Sequence, residues 1–125
     1  MAVPAQKSYR DYKDLIAYQK AKENSIKLLL YYKSQKLGWT EKFLIMQLLR
    51  AMSSIGANIA EGYGRHHQKD YRRFLGIARG SCFEVEHWIN VISDVRRQDG
   101  IILKNCLEIN IEIAKILTTL MKKLQ

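Results

Sequence analysis

Proline occurs once in the chain, at Pro4, and its absence from every later position constrains the fold more than any other sequence feature. A proline inside a helix removes a backbone hydrogen bond and clashes with the preceding turn. Without that interruption, the 125-residue chain can form long helices. Because 47% of the residues are hydrophobic, we also expect a folded core, and the length suits a single domain.

Apolar residues recur at helical spacing in four segments, which predicts four helices that each bury one face. The clearest pattern is a heptad seam in the second segment, formed by Ile45, Leu48, Met52, Ile55 and Ile59. The stripes of the other three segments are Leu15, Tyr18, Ile26 and Leu29; Tyr71, Phe74, Ala78, Cys82, Val85, Ile89 and Ile92; and Ile102, Cys106, Ile109, Ile113, Ile116 and Leu120.

Glycines and capping residues predict where the first two helices begin and end. The first helix runs from about Asp11 to Lys36, and Gly38 ends it. Thr40 is a suitable N-cap for the second helix, which the segment Gly62-Tyr63-Gly64 breaks.

The last two helices are delimited in the same way. Asp70 is expected to cap the third helix, which continues to about Arg97, and Asp99-Gly100 forms a turn. The fourth helix runs from about residue 102 to residue 124. Four long helices with short connections predict an all-α fold, an antiparallel up-down-up-down four-helix bundle over residues 11–125. A flexible polar arm at residues 1–10 precedes it.

The chain is strongly basic, with 21 Lys and Arg against 12 Asp and Glu and a net charge of +9. Such a balance favours polyanionic partners, either nucleic acid or an anionic membrane surface. A solvated charged surface is the alternative reading of the basic residues. Two groups are candidates for phosphate contact, a row on the first helix and a cluster after the second: Lys13, Lys20 and Lys27; and Arg65, Lys69, Arg72 and Arg73.

A second set of charged residues lies on the facing sides of the second and third helices. We expect Arg79 to pair with Glu61, and Arg50 to pair with Glu84 or Glu86. A structural network that fixes helix register is the favoured interpretation, because small bundles rarely bury unpaired charge. A ligand-binding polar pocket is the alternative.

Signatures of catalysis are missing: there is no Walker loop, GxSxG elbow, HExxH or CxxC motif. Cys82 and Cys106 lie within apolar patterns and are expected to be buried thiols in a reducing cytosol. His66 and His67 are adjacent in a loop, which is poor spacing for a metal site. We therefore expect no enzyme activity, cofactor or metal. With no apolar run of about 20 residues and no signal peptide, we expect a cytoplasmic protein without a membrane partner.

Two segments, SSIGANIAEGYGR at residues 53–65 and DYRRFLGIARGS at residues 70–81, resemble the bacterial four helix bundle protein family. That family was first named for reading frames inside intervening sequences of 23S rRNA genes. The similarity extends from about Tyr12 to Leu120, and residues 82–88 depart from the usual leucine-rich pattern. The resemblance implies a homopentamer. It also implies kinship with Avd, the basic accessory protein of diversity-generating retroelements, which associates with a reverse transcriptase and nucleic acid.

Two hypotheses about function follow. The first is a non-catalytic, oligomeric accessory protein that binds RNA or DNA. The second is a protein–protein scaffold whose main partner is another protein, such as a reverse transcriptase. Trp39, Phe43, Phe83 and Trp88 favour the second, because they exceed what one narrow core seam needs.

Overall fold

The computed structural model describes residues 11–125, so the predicted arm at residues 1–10 lies outside the described residues. Two short 3-10 helices occur, at Tyr12–Asp14 and Arg97–Asp99. The four long helices are α1 (Ile16–Lys33), α2 (Trp39–Tyr63), α3 (Gln68–Val95) and α4 (Gly100–Lys123). Within residues 11–125 there is no strand. The predicted all-α four-helix bundle is confirmed.

Each helix packs against the next one in the chain, and α1 also packs against α4. The four helices therefore surround one core. At one end of the bundle lie the start of α1, the α2–α3 connection and the end of α4. At the other end lie the α1–α2 and α3–α4 connections.

The heptad seam predicted for α2 is confirmed, because every residue from Ile45 to Ile59 in that seam is at most 2% exposed. The α3 stripe is confirmed from Phe74 to Ile92, whereas Tyr71 is half-buried. Both helices face the core with unbroken rows of apolar side chains. These two helices make the most extensive contact in the bundle.

The stripe predicted for α1 is wrong in its second half, because Ile26 and Leu29 are 44% and 46% exposed. In α4 the buried line is also displaced, and the predicted Ile102, Ile109 and Ile116 are only half-buried. The faces that are actually buried contain small or polar residues, which a search for apolar periodicity overlooks. They are Ala17, Ala21, Asn24, Leu28 and Tyr32 in α1, and Leu103, Cys106, Asn110, Ile113 and Leu117 in α4.

The two buried asparagines tie helices together. Asn24 of α1 donates its Nδ2 hydrogen to the carbonyl oxygen of Cys106 in α4, at 3.1 Å. Asn110 of α4 donates to the carbonyl oxygen of Cys82 in α3, at 2.9 Å. Each bond forms at only one alignment of its two helices, so the pair fixes the position of α4 along the bundle.

Several predicted helix ends are wrong. Helix α1 ends at Lys33 rather than Lys36, and Ser34 is its C-cap. Helix α2 begins at Trp39, so Thr40 is not its N-cap; the Gly38 N–H donates instead to Glu41 Oε1 at 3.0 Å.

Helix α3 begins at Gln68, two residues before the predicted cap, so Asp70 lies in its first turn, where a carboxylate favours the positive helix end. Helix α3 ends at Val95, and α4 already begins at Gly100. Asp99, predicted to form a turn with Gly100, is fully buried at the end of a 3-10 helix.

Gly62 does not break α2 but lies inside it, at the closest approach between α2 and α3. A Cβ atom at this position would lie 2.6 Å from Phe74 Cβ and 3.2 Å from the Tyr71 ring. Only glycine lets the two helices pack at this distance. Helix α2 continues to Tyr63, with Gly64 as its C-cap.

Helix α2 is long and apolar enough, by length and composition alone, to cross a membrane. One such helix is weak evidence for a membrane span, because core helices of soluble proteins pass the same test. Its heptad seam is buried against the other helices of the bundle.

A buried ion pair joins all four helices at the end of the bundle that holds the α1–α2 and α3–α4 connections. Arg96 Nε donates to Asp99 Oδ2 at 2.7 Å, and Arg96 Nη1 donates to Glu41 Oε2 at 3.0 Å. The hydroxyls of Tyr31 and Tyr32 donate to the two Asp99 oxygens at 2.5 and 2.9 Å. We call these five residues the Asp99 network.

The charge of Asp99 is stabilised by its partners. Burial alone would raise the pKa of its carboxyl, but hydrogen bonds from Arg96, Tyr31 and Tyr32 lower it below the usual value. Burial and the bond to Asp99 raise the pKa of Tyr32, so its hydroxyl remains a donor. The ion pair therefore persists at every pH at which Asp99 is ionised.

We expect Asp99→Asn to lower the free energy of unfolding by about 3–5 kcal/mol, because it removes the fully buried one of the two carboxylates that pair with the buried Arg96 charge. Urea unfolding measures the change. Asp94→Asn, in an exposed part of α3, is the control and should unfold like the wild type. Equal midpoints for the two variants would contradict the role of the network.

The same network predicts a pH dependence. Because the pKa of Asp99 is lower in the folded state, its contribution to stability is present above the unfolded pKa of about 3.9. The contribution is lost as pH falls through the folded value. Wild-type stability should therefore drop more steeply below about pH 4 than that of Asp99→Asn, as measured by urea midpoints across pH.

Gly62→Ala should destabilise the bundle by about 1–3 kcal/mol, because the added methyl group collides with Phe74. Gly80→Ala is the matched control: a Cβ there meets nothing within 4 Å, and alanine favours a helix by about 1 kcal/mol. Thermal unfolding should move in opposite directions for the two variants. A stabilised Gly62→Ala would show that the close approach is not required.

Candidate nucleic-acid interface

The bundle end that contains the α2–α3 connection collects basic side chains from three parts of the chain. Arg72 links two of them, because its Nε donates to the Met121 carbonyl oxygen near the end of α4, at 3.2 Å. A cation at that position also suits the negative end of the α4 dipole. We call this region the basic end, and its basic residues are Lys13, Arg65, Lys69, Arg72, Arg73, Lys122 and Lys123.

Two arginines of the basic end are held against one aromatic ring. The Arg65 and Arg73 guanidinium carbons lie 4.8 Å and 4.6 Å from the centre of the Phe74 ring, which is 7% exposed. Arg65 also pairs with Glu61, at 2.8 Å. Both arginines are exposed to solvent, so their remaining donors can reach a ligand at little cost in side-chain ordering.

The other predicted phosphate-contacting residues are placed differently. Lys69 lies between Arg65 and Arg73 in the sequence and is exposed in the first turn of α3. Lys13 is exposed at the same end of the bundle, with its Nζ 4.0 Å from Asp11. Lys20 Nζ lies 3.6 Å from Glu112, and Lys27 donates to Asn105. The structure thus brings the arginine cluster together and places Lys20 and Lys27 along the junction of α1 with α4.

The predicted pairing between α2 and α3 is realised in part. Arg50 pairs with Glu84, which also accepts from Trp88 Nε1 at 3.0 Å. The Trp88 hydrogen bond and then Arg50 lower the pKa of Glu84. The Arg50 side chain is 57% exposed, so this is a surface ion pair, not an internal one.

Arg79 does not reach Glu61, because its part of α3 faces α4 instead of α2. Its Nε donates to Thr118 Oγ1 at 2.8 Å, and its guanidinium carbon lies 5.1 Å from the Phe83 ring. Glu86, two turns further along α3, shares this side and lines a cavity with Arg79. The charged residues therefore form separate contacts rather than one network.

No group of three or more metal-binding side chains occurs within residues 11–125. Cys82 and Cys106 are free and buried, as predicted. Burial raises the pKa of the Cys82 thiol to about 12 and also raises that of Cys106.

Sequence reasoning missed Lys122 and Lys123 as members of the basic end. The antiparallel topology was the available signal, because it places the end of α4 beside the start of α3. Sequence reasoning left open a polar pocket with Arg79 and Glu86 but placed it against α2, whereas the structure places the cavity that they line between α3 and α4.

The fold and the basic end define a small, basic, all-α four-helix bundle. A family model described as "23S rRNA-intervening sequence protein" matches residues 13–119. The chain therefore belongs to the 23S rRNA-intervening sequence protein family, as the resemblance indicated. The kinship with Avd stays a prediction.

A solved structure supports the same assignment. It is a protein of unknown function from the S23 ribosomal protein family of Bacteroides thetaiotaomicron. The two share 25% sequence identity with a TM-score of 0.75, over 86% of this chain and 99% of that one. Among curated proteins, none matches this chain.

Proposed function

We propose that the protein is a non-catalytic, oligomeric accessory protein that binds nucleic acid through its basic end. The observation that carries the proposal is the pair of guanidinium groups, Arg65 and Arg73, held over Phe74. Arginine offers a planar fork of donors that suits phosphate oxygens. The net charge of +9 adds long-range attraction to a polyanion.

RNA is the nucleic acid that the family description supports best, because it refers to an intervening sequence of 23S rRNA. The start of α3 contributes to the same region: no side chain caps it, and its first backbone N–H groups carry partial positive charge. Binding of this kind releases counterions, so affinity falls steeply with salt.

A protein partner is the second candidate, favoured by an apolar patch where α1 and α2 meet. Trp39 is 82% exposed, Leu30 61%, Met46 59% and Phe43 54%. Patches of this kind mark interaction surfaces. Trp88, by contrast, is half-buried and bonded to Glu84, so it belongs to the bundle.

We assign this patch to the contact between subunits of a cytoplasmic homo-oligomer, a pentamer as the family resemblance implies. In a closed ring of five, each contact joins two different surfaces, so the patch would meet another face of its neighbour. A reverse transcriptase is the alternative occupant.

The double variant Arg65→Gln/Arg73→Gln should weaken binding of a labelled hairpin RNA. Removing two phosphate contacts should lower the slope of log affinity against log salt by about 2. Electrophoretic shift across a salt series measures both quantities. Lys20→Gln/Lys27→Gln removes the same charge from the α1–α4 junction and is the matched control. Equal loss in the two variants, or no binding by the wild type at low salt, would contradict the proposal.

Leu30→Lys/Met46→Lys should reduce the molar mass measured by light scattering after size exclusion, because it places charge inside the proposed contact. Ile16→Lys changes an equally exposed apolar residue outside the patch and should leave the mass unchanged. A monomeric wild type, or an unaltered mass for the double variant, would leave the patch to a different partner.

A further inference from the structure

A cavity of about 340 Å³ opens between α3 and α4. Its lining residues belong neither to the basic end nor to the apolar patch. Its volume lies at the lower limit of the range typical of small-molecule sites. Its lining combines an apolar wall with charged and polar groups: Phe83, Ile111 and Ala114 with Arg79, Glu86, Asn110, Lys115 and Thr118.

The positive side of the cavity is partly fixed in position. Arg79 is held by its bond to Thr118 and by the Phe83 ring, which leaves its terminal nitrogens as donors. Lys115 adds a second positive charge from α4 and forms no ion pair within residues 11–125. Two cations that line the same cavity suit a carboxylate, and the guanidinium fork suits it best.

Asn110 also lines the cavity and is 2% exposed. Its Nδ2 is bonded to Cys82, but its Oδ1 has no hydrogen-bond partner among the described residues. A buried carbonyl oxygen without a partner is unfavourable. Asn24 has the same unpaired oxygen; only at Asn110 does a cavity with charged walls adjoin it. Both oxygens are inaccessible to solvent, so a ligand in the cavity does not reach them. The acceptor available to a ligand is the Glu86 carboxylate, which lines the cavity.

Two apolar side chains and one carboxylate of the lining restrict the shape and charge of a ligand that fits. Phe83 and Ile111, 53% and 40% exposed, offer an apolar surface to a flat ring. Glu86 adds a carboxylate that forms no ion pair within the described chain, which favours a ligand N–H and disfavours a second negative charge.

We propose that this cavity binds a small aromatic carboxylate that also carries an N–H group. The carboxylate contacts Arg79 and Lys115, the ring packs on Phe83 and Ile111, and the N–H donates to the Glu86 carboxylate. The residues that contact this ligand differ from those proposed to bind nucleic acid.

The test is isothermal titration calorimetry of the full chain with indole-3-acetate, which has the ring, the carboxylate and the N–H. Indole-3-acetamide replaces the charged carboxylate with a neutral amide, and 1-naphthaleneacetate lacks the N–H on an aromatic ring system of similar size. We expect one site per chain for indole-3-acetate, with each analogue binding at least about tenfold more weakly, a difference of about 1.4 kcal/mol. Absence of binding at millimolar indole-3-acetate, or equal affinity for the acid and its amide, would overturn the proposal.

Variants locate the site. Arg79→Gln and Lys115→Gln should each lower the affinity for indole-3-acetate about tenfold or more and leave the weak binding of the amide unchanged. Lys115→Gln keeps the hydrogen bond between Arg79 and Thr118. It therefore tests the charge without disturbing the contact between the helices. Ile111→Trp should abolish binding by filling the cavity. Arg73→Gln, at the basic end, is the control and should bind like the wild type. Undiminished binding of indole-3-acetate to Ile111→Trp would overturn the assignment. A change in the oligomer mass of Ile111→Trp would also overturn it, because the cavity would then be a contact between subunits.

Discussion

The buried ion pair between Arg96 and Asp99 is the constraint on which the rest of the bundle depends. It lies where two connections meet and draws donors or acceptors from every helix or its flanking turn. Breaking one partner leaves an uncompensated charge in the core, which is far more costly than losing an apolar contact. At this end of the bundle, the charged groups of the Asp99 network are therefore paired with each other.

The opposite end has the reverse character. Its arginines are held by an aromatic ring and by a helix carbonyl, with only Glu61 as an ionic partner for Arg65. Positive charge therefore remains available to solvent there. The two ends of the bundle therefore differ in charge: the charged groups of the Asp99 network are paired, whereas most basic side chains of the other end are exposed.

The sequence predicted the parts of the fold where apolar periodicity and burial coincide. Helices α2 and α3 satisfy this condition, so their buried faces were found residue by residue. The buried face of α1 was not predicted because Ala17, Ala21 and Asn24 carry little apolar signal. The burial of Asp99 was not predicted because an aspartate before glycine resembles an exposed turn. At the candidate site, sequence supplied the arginines, but only the fold shows that Arg79 faces α4.

The two asparagine bonds meet within a single turn of α4, since Cys106 accepts from α1 and Asn110 donates to α3. This turn should therefore not tolerate insertions or deletions. A residue gained or lost between positions 106 and 110 would rotate one bond away from its partner while the other stayed in place. Length changes elsewhere in α4 would shift only the segment beyond them, so related chains should differ in length at the helix ends and agree across this turn.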